Sequence, residues 1–244
     1  MIVIQNARHR RPTVLLLGFA VALAACGAPT KPIANLDRVA TSTKPSPSSE
    51  GAIPMSTEQT KQALVGRWVS IAPEIRPSAA KNPDGTLKPF YLQRDFTYAD
   101  GDRFELTILK SADPNGKVVL ARIKIAGHVQ WRGAHPIAEG AYKVDFVADK
   151  GYEVTPLVQG FADVLNRVAG QGYERWDVGG TQSVFGKAFL PFGLVEGKNF
   201  MEYDLVYLSH GMLFWGARNI DGRGFDSEEN RPTNLQIPLM RPAL

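Results

Sequence analysis

The sequence predicts a mainly β protein: an antiparallel barrel or half-barrel with two short helices. Three observations carry this. Stretches between residues 90 and 218 alternate apolar and polar side chains with the period of a strand. Turn signals separate them at short spacing: Asp100-Gly101, Pro114-Asn115-Gly116 and His210-Gly211. Only two segments carry the caps and apolar spacing of a helix. One solvated and one buried face per strand marks an antiparallel sheet, and about eight short strands are enough for a barrel.

The chain begins differently. Arg8, Arg10 and Arg11 precede an almost wholly apolar run, Pro12 to Ala25. A basic start, a short apolar stretch and small residues at its end predict a secretory signal over 1–25. The run of 14 residues falls short of the ~20 that span a bilayer as a helix. Leu23-Ala24-Ala25-Cys26-Gly27 resembles a bacterial lipobox, and Cys26 is the only cysteine of 244 residues. The resemblance implies acylation of the Cys26 sulfur and removal of the signal, so that Cys26 becomes the N-terminus. Gly27 stands where an aspartate would retain a lipoprotein at the inner membrane. An exported protein on the periplasmic face of the outer membrane, or on the cell surface, is therefore expected. Residues 26–55 are rich in Pro, Ser, Thr, Gly and Ala without periodicity, and read as a flexible tether. The remaining 56–244 are expected to form the barrel.

A first helix is predicted over 57–65, with Ser56 and Gln59 as a capping box and Gly66 as the stop. A strand starts at "GRWVSIA" (66–72). Residues 90–98 place Phe90, Leu92, Phe96 and Tyr98 on one face, with Arg94 breaking the apolar pattern. Residues 103–110 alternate Phe104, Leu106 and Ile108 against Glu105 and Thr107. Residues 117–131 and 141–148 alternate likewise. A second helix is predicted from Thr155 as cap and Pro156 as first residue to Gly170. Strands are expected again at 172–178 and 182–190, and a hairpin over 199–218. Prolines 232, 238 and 242 make the C-terminal segment an edge strand or a strap.

Charge excludes some functions. The sequence has 28 basic and 24 acidic residues. The predicted signal takes three arginines and no acid, leaving 25 against 24, a net +1. No basic patch calls for nucleic acid. His9, His128, His135 and His210 lack the spacing of a zinc site, and no Gly-x-Ser-x-Gly elbow or phosphate loop occurs. Glu202 and Asp204 share a strand face, read here as solvated. No catalytic constellation and no cofactor or metal is therefore expected.

Three short motifs occur in order: Gly66-Arg67-Trp68-Val69-Ser70 followed by Glu74-Ile75-Arg76-Pro77, then "YLQRDFTY" (91–98), then "RPTNLQIPL" (231–239). Together they resemble the domain family named for "adenomatosis polyposis coli down-regulated", an animal inhibitor of Wnt signalling. The similarity spans roughly 64–241. It implies a lipocalin-like antiparallel barrel or half-barrel with an apolar cavity that accepts an acyl chain. This chain has one such domain and no cysteine beyond Cys26, and Wnt binding does not carry over to a bacterial lipoprotein. The candidate pocket is Trp68, Arg94, Phe96, Phe104, Ile123, Phe146, Tyr203 and Trp215. Arg94 or Arg231 would stack on Trp68, as an arginine often does in lipocalin-like barrels. Glu74, Arg76 and Arg231 are candidates for a structural ion pair or for capture of an anionic headgroup, with Glu74 neutralising Arg76. The expected function is binding of a hydrophobic or amphipathic, acyl-chain-like ligand. The expected partners are the membrane, through the N-terminal lipid, and a hydrophobic small molecule or acylated partner. The alternative is an envelope interaction module with a filled barrel core.

Overall fold

The computed structural model describes residues 55–219 and 223–243. Cys26, the predicted signal and the tether up to residue 54 lie outside the described residues. Helix α1 (Thr57–Leu64) opens on the expected capping box. Ser56 Oγ accepts from the Gln59 amide at 3.3 Å, and Gln59 Oε1 accepts from the Ser56 amide at 2.8 Å.

Ten strands follow among the described residues: β1 (Gly66–Ser70), β2 (Glu74–Lys81), β3 (Leu87–Ala99), β4 (Arg103–Ser111), β5 (Val119–Ala134), β6 (Ala141–Pro156), β7 (Gln182–Ser183), β8 (Phe200–Ser209), β9 (Met212–Trp215) and β10 (Leu239–Met240). Helix α2 (Gln159–Val168) lies between β6 and β7. Eight strands close an antiparallel barrel in the order β1-β10-β9-β8-β6-β5-β4-β3, and β3 returns to β1. The β8–β9 hairpin turns at His210 (φ 51°) and Gly211 (φ 73°). Two successive positive φ values match the right-handed twist of the flanking strands.

Strands β5 and β6 have sixteen residues each. At ~3.3 Å per residue they are too long for a straight barrel wall, and bulges bend them. One bulge falls between Ala126 and His128, where a Cβ on Gly127 would stand 1.8 Å from the Val147 carbonyl oxygen. Past this bulge β5 runs on to Ala134 through a second irregularity.

The barrel has two unlike halves. In the first, β1 pairs Gly66–Val69 with Asp95–Tyr98 of β3, and β8 pairs Phe200–Tyr207 with Ala141–Ala148 of β6. Every wall is present there. In the second, β1 has ended, and β2 takes its place on β3 from Leu92 back to Leu87. On β6 only the two residues of β7 follow β8, at Glu153 and Val154. The ring is therefore open at this end.

Several expectations are corrected. Helix α2 begins at Gln159, with Val158 as a cap that offers no side-chain bond. Thr155 and Pro156 instead end β6, paired with Arg122 and Ala121 of β5, and the Thr155 hydroxyl meets that of Thr181 at 2.7 Å. Residues 172–178 form no strand, and of 182–190 only β7 does. The proline-rich end is a strap over the outside of β6 and β8. It then supplies β10, which is no edge, since it pairs with β1 and β9.

Candidate ligand cavity

Period-two alternation turns Phe96, Phe104, Phe146 and Trp215 inward in the closed half. Their rings meet at 4.6–5.6 Å between centroids, stacked, tilted and edge-to-face. The void left among them is ≈10 Å³, about one water. These four predicted pocket residues therefore form a plug, and the closed half is filled as small barrels are.

The open half is hollow. A cavity of ≈670 Å³ lies between the inner face of β3–β6 and the loop before β8. Its walls include Phe90, Leu92, Ile108, Ile123, Phe192 and Leu194, with Tyr152, Phe200 and Phe225. Of the predicted pocket, Ile123 alone lines it. Four charged side chains that the sequence analysis did not single out also line it: Lys110, Lys198, Arg218 and Asp226. Glu202 lines it as well.

A buried ionic cluster stands between plug and cavity along β3, where Arg94 lies between Phe96 of the plug and Leu92 of the cavity wall. Glu74 is buried between two arginines, its Oε1 2.7 Å from Arg94 Nε and its Oε2 3.2 Å from Arg76 Nη2. Arg94 lies over the Trp215 ring at 4.4 Å, and Arg76 over Phe225 at 5.5 Å. The expected neutralisation of Arg76 by Glu74 is thus present, with Arg94 as a second partner. Burial pushes the Arg76 guanidinium down from its ordinary range, and Glu74 opposes this. Glu202 and Asp204 do share a face of β8, but it is the inner face, not a solvated one. Their register partners on β6 are Phe146 and Val144. Burial, with Glu202 nearby, pushes the Asp204 carboxyl up to about 7. Its Oδ1 accepts from the amides of Leu205 and Gly216 at 2.8 and 2.9 Å.

No family model matches this chain, and no curated protein matches it. Its own residues carry the functional reading.

Three predicted site residues stand away from the cavity. Trp68 is buried at the far end of the barrel and donates from Nε1 to the Leu64 carbonyl at 2.7 Å. The arginine over its ring is Arg241, at 4.4 Å, and neither Arg94 nor Arg231. Arg241 also donates to the carbonyls of Ala63 and Val65, closing the last turn of α1. Gly66, at φ 113°, leaves it room: a Cβ there would meet Arg241 Nη1 at 2.5 Å. Tyr203 faces outward, under the Arg231 guanidinium at 5.4 Å. Arg231 is buried outside the barrel, not inside. It reaches Asp145 Oδ1 at 2.6 Å, Glu228 Oε2 at 2.5 Å and the Val144 carbonyl at 2.7 Å. It pins the strap to β6 and β8, and His135 adds a second tie from Nε2 to the Pro232 carbonyl at 3.1 Å.

Lys110 was legible and missed. The alternation Phe104, Leu106, Ile108 continues inward to position 110, so a lysine faces the cavity. Glu202 and Asp204 were legible in the same way, sharing parity with Phe200 and Val206. The aromatic loop residues Phe192 and Phe225 left no periodic signal.

Proposed function

We propose that this is a lipid-anchored envelope protein that holds a hydrophobic or amphipathic, acyl-chain-like ligand in the open half of its barrel. The observation that carries the reading is the cavity of ≈670 Å³ with its aromatic and aliphatic walls. Its size falls within the ~300–1,000 Å³ typical of small-molecule sites. The resemblance to the "adenomatosis polyposis coli down-regulated" domain family supports the same reading, since it implies an acyl-chain cavity. The lipobox at Cys26 supports the anchor and an address at the periplasmic face of the outer membrane or the cell surface. Binding without chemistry is the reading for the site. The filled closed half favours the second reading, an interaction module that works through its outer surface.

The test is mass spectrometry of lipids extracted from the full chain purified in its folded state. The expected result is one class of amphiphile enriched over a control barrel that lacks a cavity. An extract indistinguishable from the control, together with no uptake of added dodecan-1-ol, would leave the interaction module standing.

A further inference from the structure

Resting on the cavity reading, we infer that the ligand carries an anionic headgroup, a carboxylate or a phosphate, and that Lys110 is its counter-charge. Lys110 is a half-buried inward residue of β4, with its ammonium over the rings of Phe90 at 4.7 Å and Phe161 at 5.4 Å. No carboxylate among the described residues lies within salt-bridge distance of it. A cation in such surroundings is costly unless paired, and the two rings supply only part of that pairing. Burial alone pushes its pKa down, with no acid to hold it up.

The other charges of the cavity are differently placed, Arg218 included, which already has an interaction partner within the chain. Glu202 acts on Arg76 and Asp204 at the ionic floor. Asp226 accepts from Asn230 Nδ2 at 2.7 Å. Lys198 is exposed to solvent. Lys110 stands on the wall beside Ile108 and Leu92, so a headgroup paired with it leaves the tail against the apolar surface.

Three probes of equal chain length test this on the full chain: dodecanoate, dodecyl phosphate and dodecan-1-ol. All are titrated calorimetrically, the ionic two below their critical micelle concentrations. The two anions are expected to bind at least about tenfold more tightly than the alcohol, the scale of one charge-assisted hydrogen bond. Dodecanoate as the tighter anion identifies a fatty-acid-like ligand, and dodecyl phosphate a phospholipid-like one. Lys110→Met is expected to remove the preference while leaving the alcohol bound, and Lys110→Arg to keep it. Near-ultraviolet circular dichroism establishes that each variant is folded. Equal binding of all three by the unsubstituted chain, or a preference that survives Lys110→Met, overturns the headgroup assignment and leaves the cavity reading intact. No binding of any probe overturns both.

Discussion

Asp204 gives the sharpest test of the buried ionic cluster. Its carboxyl is fully buried on β8, and its folded pKa of about 7 lies well above the ~3.9 of an exposed aspartate. A carboxyl raised on folding contributes stability that is fully present below the unfolded pKa and is lost as pH rises through the folded value. Between ~4 and about 7 the unfolded chain gives up a proton that the folded chain keeps. At ~1.4 kcal/mol per pH unit, the full loss amounts to about 4 kcal/mol. Asp204→Asn keeps an oxygen for the amides of Leu205 and Gly216, and so removes the charge but not the acceptor. The variant should gain on the unsubstituted protein by about 1 kcal/mol at pH 4.5 and by about 4 kcal/mol at pH 8.5. Urea unfolding of both proteins at the two pH values measures this, and the difference between the proteins cancels groups that titrate alike in each. The reasoning is refuted if the stability difference is the same at both pH values, or if the Asp204→Asn variant is the less stable protein at pH 8.5.

Glu74→Gln leaves two buried arginines sharing a neutral partner, and should cost about 3 kcal/mol or more in urea unfolding; a cost under about 1 kcal/mol would show that water already solvates the cluster. Gly127→Ala drives a Cβ onto the Val147 carbonyl at the β5–β6 bulge. It should cost about 2–3 kcal/mol, or roughly 4–12 °C in Tm by differential scanning calorimetry; an unchanged Tm would contradict the close approach. Cys26→Ser should abolish labelling by a radioactive fatty acid and move the chain from the membrane to the soluble fraction. Retention on the membrane would remove the lipid anchor from the proposal.

The strands were legible because each has one face against the barrel interior and one outside, which writes a period of two into β3, β4, β5 and β8. The stretch from 172 to 199 misled for a physical reason. Its buried Trp176, Val184 and Phe189 give it the apolar content of strands. Glycines with positive φ at 172, 179, 186, 193 and 197 break any period, and outside β7 the segment packs largely as a loop. Thr155-Pro156 reads as a helix start, yet pairing with β5 continues through both residues, and tertiary contacts override the local signal. Trp68 was rightly expected to carry an arginine, but composition offers many. Only the path of the strap, which returns the chain to α1, decides that it is Arg241.

Arg94 breaks the apolar alternation of β3 at the position where the barrel changes from filled to open. The β1 pairing stops at Val69 with Asp95, and the β2 pairing starts at Glu74 with Leu92. Arg94 falls in the gap, and its amide donates to the Ser70 hydroxyl at 2.9 Å in place of a ladder partner. The strand that replaces β1 brings Glu74, the acid that the Arg94 guanidinium requires. The ionic cluster is thus a product of the strand switch itself. Buried ion pairs add little to stability over apolar residues of equal volume, so stability alone does not account for placing one here. On one side of it every wall is complete and four aromatic rings fill the interior. On the other, β1 is gone and β6 has parted from β8, so the side chains of β3, β4 and β5 face the loop before β8 instead of an interlocking strand, and the cavity remains. An apolar triple such as Glu74→Leu, Arg76→Met and Arg94→Leu is then expected to extend the plug downward and shrink the cavity while the protein stays folded. Weaker uptake of dodecan-1-ol at unchanged or higher Tm would show it. Undiminished uptake would mean that the missing strands, and not the charges, set the cavity's depth.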